Sequence, residues 1–389
     1  MAKPEIRLKG FKGEWENKLL GNLCSVNRGV RVTRKELNNQ GDYPVFQNTD
    51  YPMGFYNQYN VAGNNPFVII GGSAGLIGFS KKEFWAADDC VYFGDNAELD
   101  KAYLFNILLK HSSTIKKNVR GSSVPRLDRK VLVGLSISIP SIDEQQGIAD
   151  YFKSLDSMIQ GVTKKIASLK QMKQACLVSM FPQVGETTPR VRFKGFKGEW
   201  EIVKLSSIAK RITRKNSQLE STLPLTISAA EGLIEQTAFF NNVVASSNVS
   251  GYYLLKKGEF AYNKSYSNGY PFGAVKRLNK YEMGVLSTLY IVFSVDESVS
   301  SDYIVHFFDT SLWHKEVAMR AAEGARNHGL LNIGAEDFLD IDIFLPKDIS
   351  EQQQIASFFT SLDKQISLQE ARLEKLKQIK AACLDKMFV

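Results

Sequence analysis

One feature of this sequence constrains its fold more than any other: most of it is present twice. Lys9-Gly10-Phe11-Lys12-Gly13-Glu14-Trp15-Glu16 recurs unchanged as Lys194-Gly195-Phe196-Lys197-Gly198-Glu199-Trp200-Glu201. The run from Glu144-Gln145-Gln146 to Phe181 recurs, with substitutions, from Glu351-Gln352-Gln353 to Phe388, and the order is kept. With 389 residues, 44% of them hydrophobic, the chain can bury two ordinary cores, in line with roughly 150 residues per domain. Two copies of one unit can present two similar surfaces about an internal two-fold axis, as a monomer imitating a symmetric dimer. The partner expected for such a chain carries two separated half-sites.

Charge follows the repeat. The formal net charge is +8, but residues 1–35 hold 9 Lys and Arg against 3 Asp and Glu, and residues 189–215 hold 9 against 2, so the remainder is net negative. Basic charge gathered at two matching places points to two polyanion-facing patches, because phosphate neutralisation dominates nucleic-acid affinity. A solvated, Lys-rich surface is the alternative. Outside the identical octapeptide, Arg31-Val32-Thr33-Arg34-Lys35 recurs as Arg211-Ile212-Thr213-Arg214-Lys215. What two half-sites share is phosphate, so Arg28, Arg31, Arg34, Lys35, Arg211, Arg214 and Lys215 are the candidate phosphate ligands. No run of about 18 apolar residues exists for a membrane span, and Met1-Ala2-Lys3-Pro4 lacks the apolar core of a signal peptide; no membrane role and a cytoplasmic location are expected. Cys24, Cys90, Cys176 and Cys383 form no CxxC pair and read as reduced thiols, so neither disulfide nor metal is expected.

The strongest secondary-structure signal is a helical stripe. Ile148, Phe152, Leu155, Ile159, Val162, Ile166 and Leu169 follow a 4-3-4-3 spacing, and Ile355, Phe359, Leu362, Ile366, Leu373 and Leu376 repeat it with Gln369 interrupting. Ser141-x-x-Glu144 after Pro140 and Asp348-x-x-Glu351 after Pro346 read as capping boxes that start the two helices. A helix of about 38 residues is roughly 57 Å long, too long for one small lobe to cover. The expected cover is the other copy, antiparallel to it, with Ile148, Phe152, Leu155, Ile159, Ile355, Phe359, Leu362 and Ile366 as the core of the pair; two helices packed separately on their own lobes are the alternative. Cys176 and Cys383 would then lie at opposite ends. Pro182 to Pro189 reads as an exposed linker.

Between Trp segment and helix the copies differ. Aligning the Trp segments needs an offset of 185 and aligning the helices one of 207, so the second middle region is 22 residues longer. Phe67–Ile70, Gly71–Gly75 and Leu76–Phe79 read as strand, turn and strand, and Glu259–Asn263, Lys264–Gly269 and Gly273–Lys276 as their counterpart. Leu104–Leu109 and Tyr303–Phe308 read as helices. Sequence-specific contacts must differ between half-sites, and the polar tips do differ. Ser73, Arg120, Ser122 and Arg126 in the first copy, and Asn263, Lys264, Ser265, Asn268, Arg326, Asn327 and His328 in the second, are the candidate base-edge contacts.

The pattern Ile139-Pro140-x-x-x-Glu144-Gln145-Gln146-x-Ile148-Ala149-x-x-Phe152-x-x-Leu155-Asp156, echoed by Leu345-Pro346-x-x-x-x-Glu351-Gln352-Gln353-x-Ile355-Ala356-x-x-Phe359-x-x-Leu362-Asp363, resembles the specificity (S) subunit, HsdS, of type I restriction-modification systems. The resemblance covers nearly the whole chain. It implies an α+β chain with two mixed target recognition domains in tandem pseudo-two-fold repeat, separated by two long antiparallel coiled-coil helices. The corresponding ranges are 1–143 for the first recognition domain, 144–181 for the first spacer helix and 182–190 for the linker. The second domain takes 191–350 and the second spacer helix 351–389. Each domain would read half of a bipartite, asymmetric site in double-stranded DNA. The helices would set the gap and dock two methyltransferase subunits, which use S-adenosylmethionine; a motor-nuclease subunit would use ATP and Mg²⁺. None of these cofactors is expected on this chain.

No catalytic constellation emerges from the residues. Asn64-Asn65-Pro66-Phe67 lacks the second proline of an amino-methyltransferase motif, and no GxxxxGK[ST] phosphate loop occurs. His111, His306, His314 and His328 have no metal-ligand spacing with cysteines or paired carboxylates. Asp95, Glu98 and Lys101 read as a solvated surface. A non-catalytic DNA-recognition subunit is the expectation. Its rivals are a stand-alone tandem-repeat regulator without restriction partners, and an enzyme with an unrecognised active site in the longer insert.

Overall fold

The computed structural model of the protein describes residues 3–38, 40–228, 231–237, 248–265, 269–321 and 331–389. The chain divides into two compact units, residues 1–165 with 369–389, and residues 166–368. Both divisions fall inside the long helices, Ile142–Ser179 and Ile349–Lys386.

Unit 1 is built on β1 (Glu16–Leu19), β2 (Val26–Arg28), β3 (Tyr43–Phe46), β4 (Gly54–Tyr56), β5 (Asn65–Ile69), β6 (Ile77–Ser80), β7 (Trp85–Ala86), β8 (Cys90–Phe93) and β9 (Ser136–Ile139). β5 is apolar from Pro66 onward and buried at every position, as a central strand covered on both faces should be, and its one polar residue, Asn65, donates to the Phe93 carbonyl at 3.0 Å. It pairs antiparallel with β6 and β8 in a sheet of order β2-β8-β5-β6. β1 pairs with β9, so the strand that follows Trp15 lies against the strand that leads into the first long helix. The helix Lys101–Lys110 is capped by Asp100, whose carboxylate accepts from the Tyr103 amide at 2.8 Å.

Unit 2 repeats this framework. Its strands are β10 (Glu201–Lys204), β11 (Ala209–Arg211), β12 (Leu225–Ser228), β13 (Gly232–Glu235), β14 (Tyr253–Lys256), β15 (Phe260–Asn263), β16 (Ala274–Arg277), β17 (Met283–Leu286), β18 (Ile291–Val295) and β19 (Asp342–Leu345). The sheet order β11-β18-β15-β16 and the pair β10–β19 match unit 1, and helix Ser301–Phe307 takes the place of Lys101–Lys110. The copies part company in their inserts. Unit 1 has the small sheet β4-β3-β7, while unit 2 has the separate ladders β12–β13 and β14–β17.

Side chains repeat with the framework. Arg7 grips Glu144 through two bonds of 2.7 Å and donates a third to the Gly13 carbonyl. Arg192 does the same with Glu351 at 2.7 and 2.8 Å and with the Gly198 carbonyl. Gln145 accepts from the Asp100 amide and donates to the Pro140 carbonyl; Gln352 accepts from the Ser300 amide and donates to the Pro346 carbonyl. The Glu-Gln pair therefore ties each long helix to the Trp segment and to the short helix of its unit. This corrects the capping-box reading. The helices begin at Ile142 and Ile349, two and three residues past their prolines. Glu144 and Glu351 are spent on arginines, and only Asp348 caps, accepting from the Ser350 amide at 2.8 Å.

The core of unit 1 joins Trp15, Tyr103, Ile148, Phe152 and Leu155 to Cys383, Met387 and Phe388. That of unit 2 joins Trp200, Tyr303, Ile355 and Phe359 to Leu177, Met180 and Phe181. Each core is thus completed by the last turns of the other copy's helix. Tyr151 meets Cys383 and Asp156 meets Lys380 in unit 1, while Lys173 meets Asp363 in unit 2, so the helix segments run antiparallel within each unit. Leu169, Leu362 and Ile366 form a small cluster of their own, whereas Ile159 is only half-buried and falls outside every cluster. Residues 182–190 lie inside unit 2, because the helix end before them is already packed in its core. Cys176 and Cys383 are free thiols in different units.

Candidate nucleic-acid interface

In unit 1 the loop after β2 carries Arg31, Arg34 and Lys35, all exposed and without an ion pair among the described residues. Val32 between them is buried at 4% exposure and anchors the loop in a cluster with Val45 and Ala87. Arg31 and Arg34 line a cleft of about 930 Å³ together with Thr33, Asn38, Gln40, Gln47 and Asn48. Its lining holds no carboxylate, so the cleft suits an anion.

Beside the cleft an acidic pair positions further donors. Asp88 takes the Arg28 Nε on its carbonyl at 2.5 Å and Gln47 Nε2 on its carboxylate at 3.3 Å. Asp89 accepts from Arg126 at 3.0 Å and lies 3.9 Å from Arg28. A Cβ on Gly71 would come within 2.6 Å of the Asp89 carboxylate oxygens, and one on Gly72, at φ +78°, within 2.8 Å of the Asn48 Cβ. Only glycines fit this turn. It carries exposed Ser73, whose amide donates to the Asn48 carbonyl at 3.1 Å. The loop 120–126 closes on the same turn: Arg120 and Arg126 exchange backbone bonds of 2.8 and 2.7 Å, and the Gly72 amide donates to the Pro125 carbonyl. Ser73, Arg120, Ser122 and Arg126 thus come together, with Ser122 exposed at the loop tip. Arg28 is a tethered member of the group rather than a free cation.

Unit 2 treats its copy of the basic segment differently. Arg211 ends β11 and is exposed with no ion pair among the described residues. Arg214, at the position matching Arg34, is drawn inward by Glu259 through bonds of 2.8 and 2.7 Å. Its guanidinium is held in an ion pair, where that of Arg34 is free. Lys215 donates to the Gly251 carbonyl and lies 4.2 Å above the Tyr253 ring, so it too is held. Asn263 accepts from the Ser265 amide, and Lys264 donates to the Ile333 carbonyl. All three are half-buried, and those polar atoms brace the β15 tip instead of facing outward. Asn268, Arg326, Asn327 and His328 lie outside the described residues.

One part-buried cluster of unit 2 has the residue types of a metal site. His306, Asp309 and Asp363 bring potential metal-ligand atoms within 4.8 Å of one another. The Lys173 ammonium, however, sits 2.9 Å from Asp309 and 2.7 Å from Asp363, where a cation would stand. His306 Nε2 pairs with the Thr360 hydroxyl at 3.1 Å, and its Nδ1 ends 3.5 Å from Asp309. Burial alone would raise the Asp309 carboxyl; His306, Lys276 and Lys173 outweigh it and hold the group well below the usual carboxylate range. At the matching place unit 1 pairs the two long helices through Lys380–Asp156 at 2.5 Å, with Asn106 bonded to its own helix where unit 2 has His306. The cluster is an elaborated helix-to-helix staple.

A sequence model described as "Type I restriction modification DNA specificity domain" matches residues 12–171 and again 197–378. The chain is similar to a putative type I specificity subunit of Mycoplasma pneumoniae, 28% identical over 196 residues, which cover 49% of this chain and 51% of that protein. It is also similar to the type I restriction enzyme MjaVIII specificity subunit of Methanocaldococcus jannaschii, 26% identical over 216 residues, 50% of this chain and 49% of that one. The chain thus spans about half the length of the curated relatives it matches. Among solved structures, the type I restriction-modification S subunit of M. genitalium aligns over 100% of this chain and 99% of its own, with a TM-score of 0.65 at 16% identity. A chain from a structural study of the assembly and conformational transition of a type I R-M system aligns with a TM-score of 0.53 at 13% identity, over 97% and 98%. At these identities the likeness is one of fold.

Proposed function

The chain belongs to the type I restriction-modification DNA specificity family, and from that premise we propose that it is the non-catalytic recognition subunit of such a system. Each unit reads one half of a bipartite, asymmetric site in duplex DNA, and the long helices set the gap between the halves. The same helices dock modification subunits, two in number, that carry S-adenosylmethionine. A motor-nuclease subunit with ATP and Mg²⁺ joins through the complex, in the cytoplasm where its DNA lies.

One observation carries this reading: what repeats is bracing, and what differs is polar and outward. The Arg–Glu grips, the glutamine ties and the sheet order recur in both units, while the repeated basic segment is used differently: Arg31 and Arg34 line an open cleft with Asn48 in unit 1, and Arg214 pairs with Glu259 in unit 2. A protein reading two unlike half-sites needs that division. Duplex binding measured against salt concentration tests it. Replacing Arg31, Arg34 and Arg211 together by Ala should flatten the log–log salt slope by about 0.9 for each lost phosphate contact, with sequence preference unchanged. Arg214→Ala should leave the slope as it is, since that guanidinium is bound to Glu259. A slope untouched by the triple change, or an altered preference, would remove the phosphate assignment.

A further inference from the structure

Asn48 follows β3 and stands where the cleft meets the glycine turn. Its backbone is fixed: the carbonyl accepts from Ser73, and the Cβ closes against Gly72. Its side chain is exposed and makes no hydrogen bond among the described residues. Of the other amides lining the cleft, Gln40 is likewise exposed with no side-chain bond among the described residues, but two are spent. Gln47 is tied to Asp88, and Asn38 bonds Asn57 and the Gln40 amide. Asn48 therefore combines a rigid mount with an unspent donor and acceptor, on a cleft whose two arginines are free.

A carboxamide presented this way matches the adenine edge in the major groove, donating to N7 and accepting from the N6 amino group, a pair that discriminates against other bases. Ordinary surface solvation would not require the mount, which constrains Gly72 to a conformation few other residues adopt. We propose that Asn48 is the adenine-reading residue of unit 1, with Arg31 and Arg34 holding phosphates beside it. The inference rests on the DNA-recognition reading above.

The test is selection from randomised duplexes by the full-length chain, as wild type and as Asn48→Ala. The expected result is that one A·T position in one half-site becomes degenerate, the other half-site is unchanged, and affinity for the parent sequence falls about tenfold. Replacing that base pair should weaken wild type by the same factor and leave Asn48→Ala unaffected. Thermal melting should be unaltered, because the side chain makes no internal bond; if Asn48→Ala melts early, Asn48→Ser is scored by the same criteria. A bipartite wild-type motif retained in full by the variant overturns the role of Asn48 alone. Equal loss at both half-sites does the same. A wild-type chain that enriches no sequence removes the recognition reading and this inference with it.

Discussion

Arg7 and Arg192 each hold a glutamate that is almost wholly buried, and each sits two residues ahead of the repeated octapeptide. The repeat makes such residues visible, but not their partners, which lie 137 and 159 residues away. A local reading of Glu144 and Glu351 as caps was the natural one, and tertiary pairing overrode it. Arg192→Ala leaves the Glu351 carboxylate at 1% exposure without a counter-charge, and stripping one partner from a buried pair costs roughly 3 kcal/mol or more. Glu351→Gln leaves no buried charge and should cost less, since Arg192 can turn to solvent. Urea denaturation of both variants checks this, and equal costs would contradict it. Arg34 and Arg214 teach the converse: the same repeated residue is free in one unit and bound in the other, because Glu259 occurs only in the second insert.

At the scale of elements, the heptad spacing located both long helices; their ends enter the two cores, and Val162, Ile166, Leu169, Leu362 and Ile366 carry burial along the middle of the seam. Ile148, Phe152 and Leu155 lie in one core and Ile355 and Phe359 in the other, while Ile159, Leu373 and Leu376 are half-buried. A two-helix seam covers only one face of each helix, whereas the ends lie within lobes that close around them. The ion pairs that join the helices were not legible, because Lys173, Asp309 and Asp363 are brought together only by folding. Their presence makes a pH prediction. A carboxyl held low in the folded state contributes stability that is present above its unfolded value, near 3.9, and is lost as pH falls toward the folded one. The stability difference between wild type and Asp309→Asn should therefore be full at neutral pH and shrink below about pH 4. Denaturant midpoints for both proteins across that range supply the measurement, and a difference independent of pH would contradict the ion-pair account.

For the whole molecule, repetition revealed the organisation: two like frameworks, two long helices, two inserts that differ. The insert surfaces were the least legible part. Ser73, Arg120, Ser122 and Arg126 could be named as outward residues, but Gln47, Asn48 and the Asp88–Asp89 pair that organise them could not, since their roles depend on strands meeting across the insert. The only signal available was the pair of amides following an apolar strand. The central claim, two unlike readers held at a gap set by helix length, is tested most directly by the motif selected from randomised duplexes. The full-length chain should enrich two different half-sites separated by a fixed run of unspecified base pairs. Removing one heptad from each long helix, about 10.5 Å that preserves the seam, should shorten that run by roughly three base pairs while leaving both half-sites intact. A single contiguous motif, or a gap that does not change with helix length, would contradict the account.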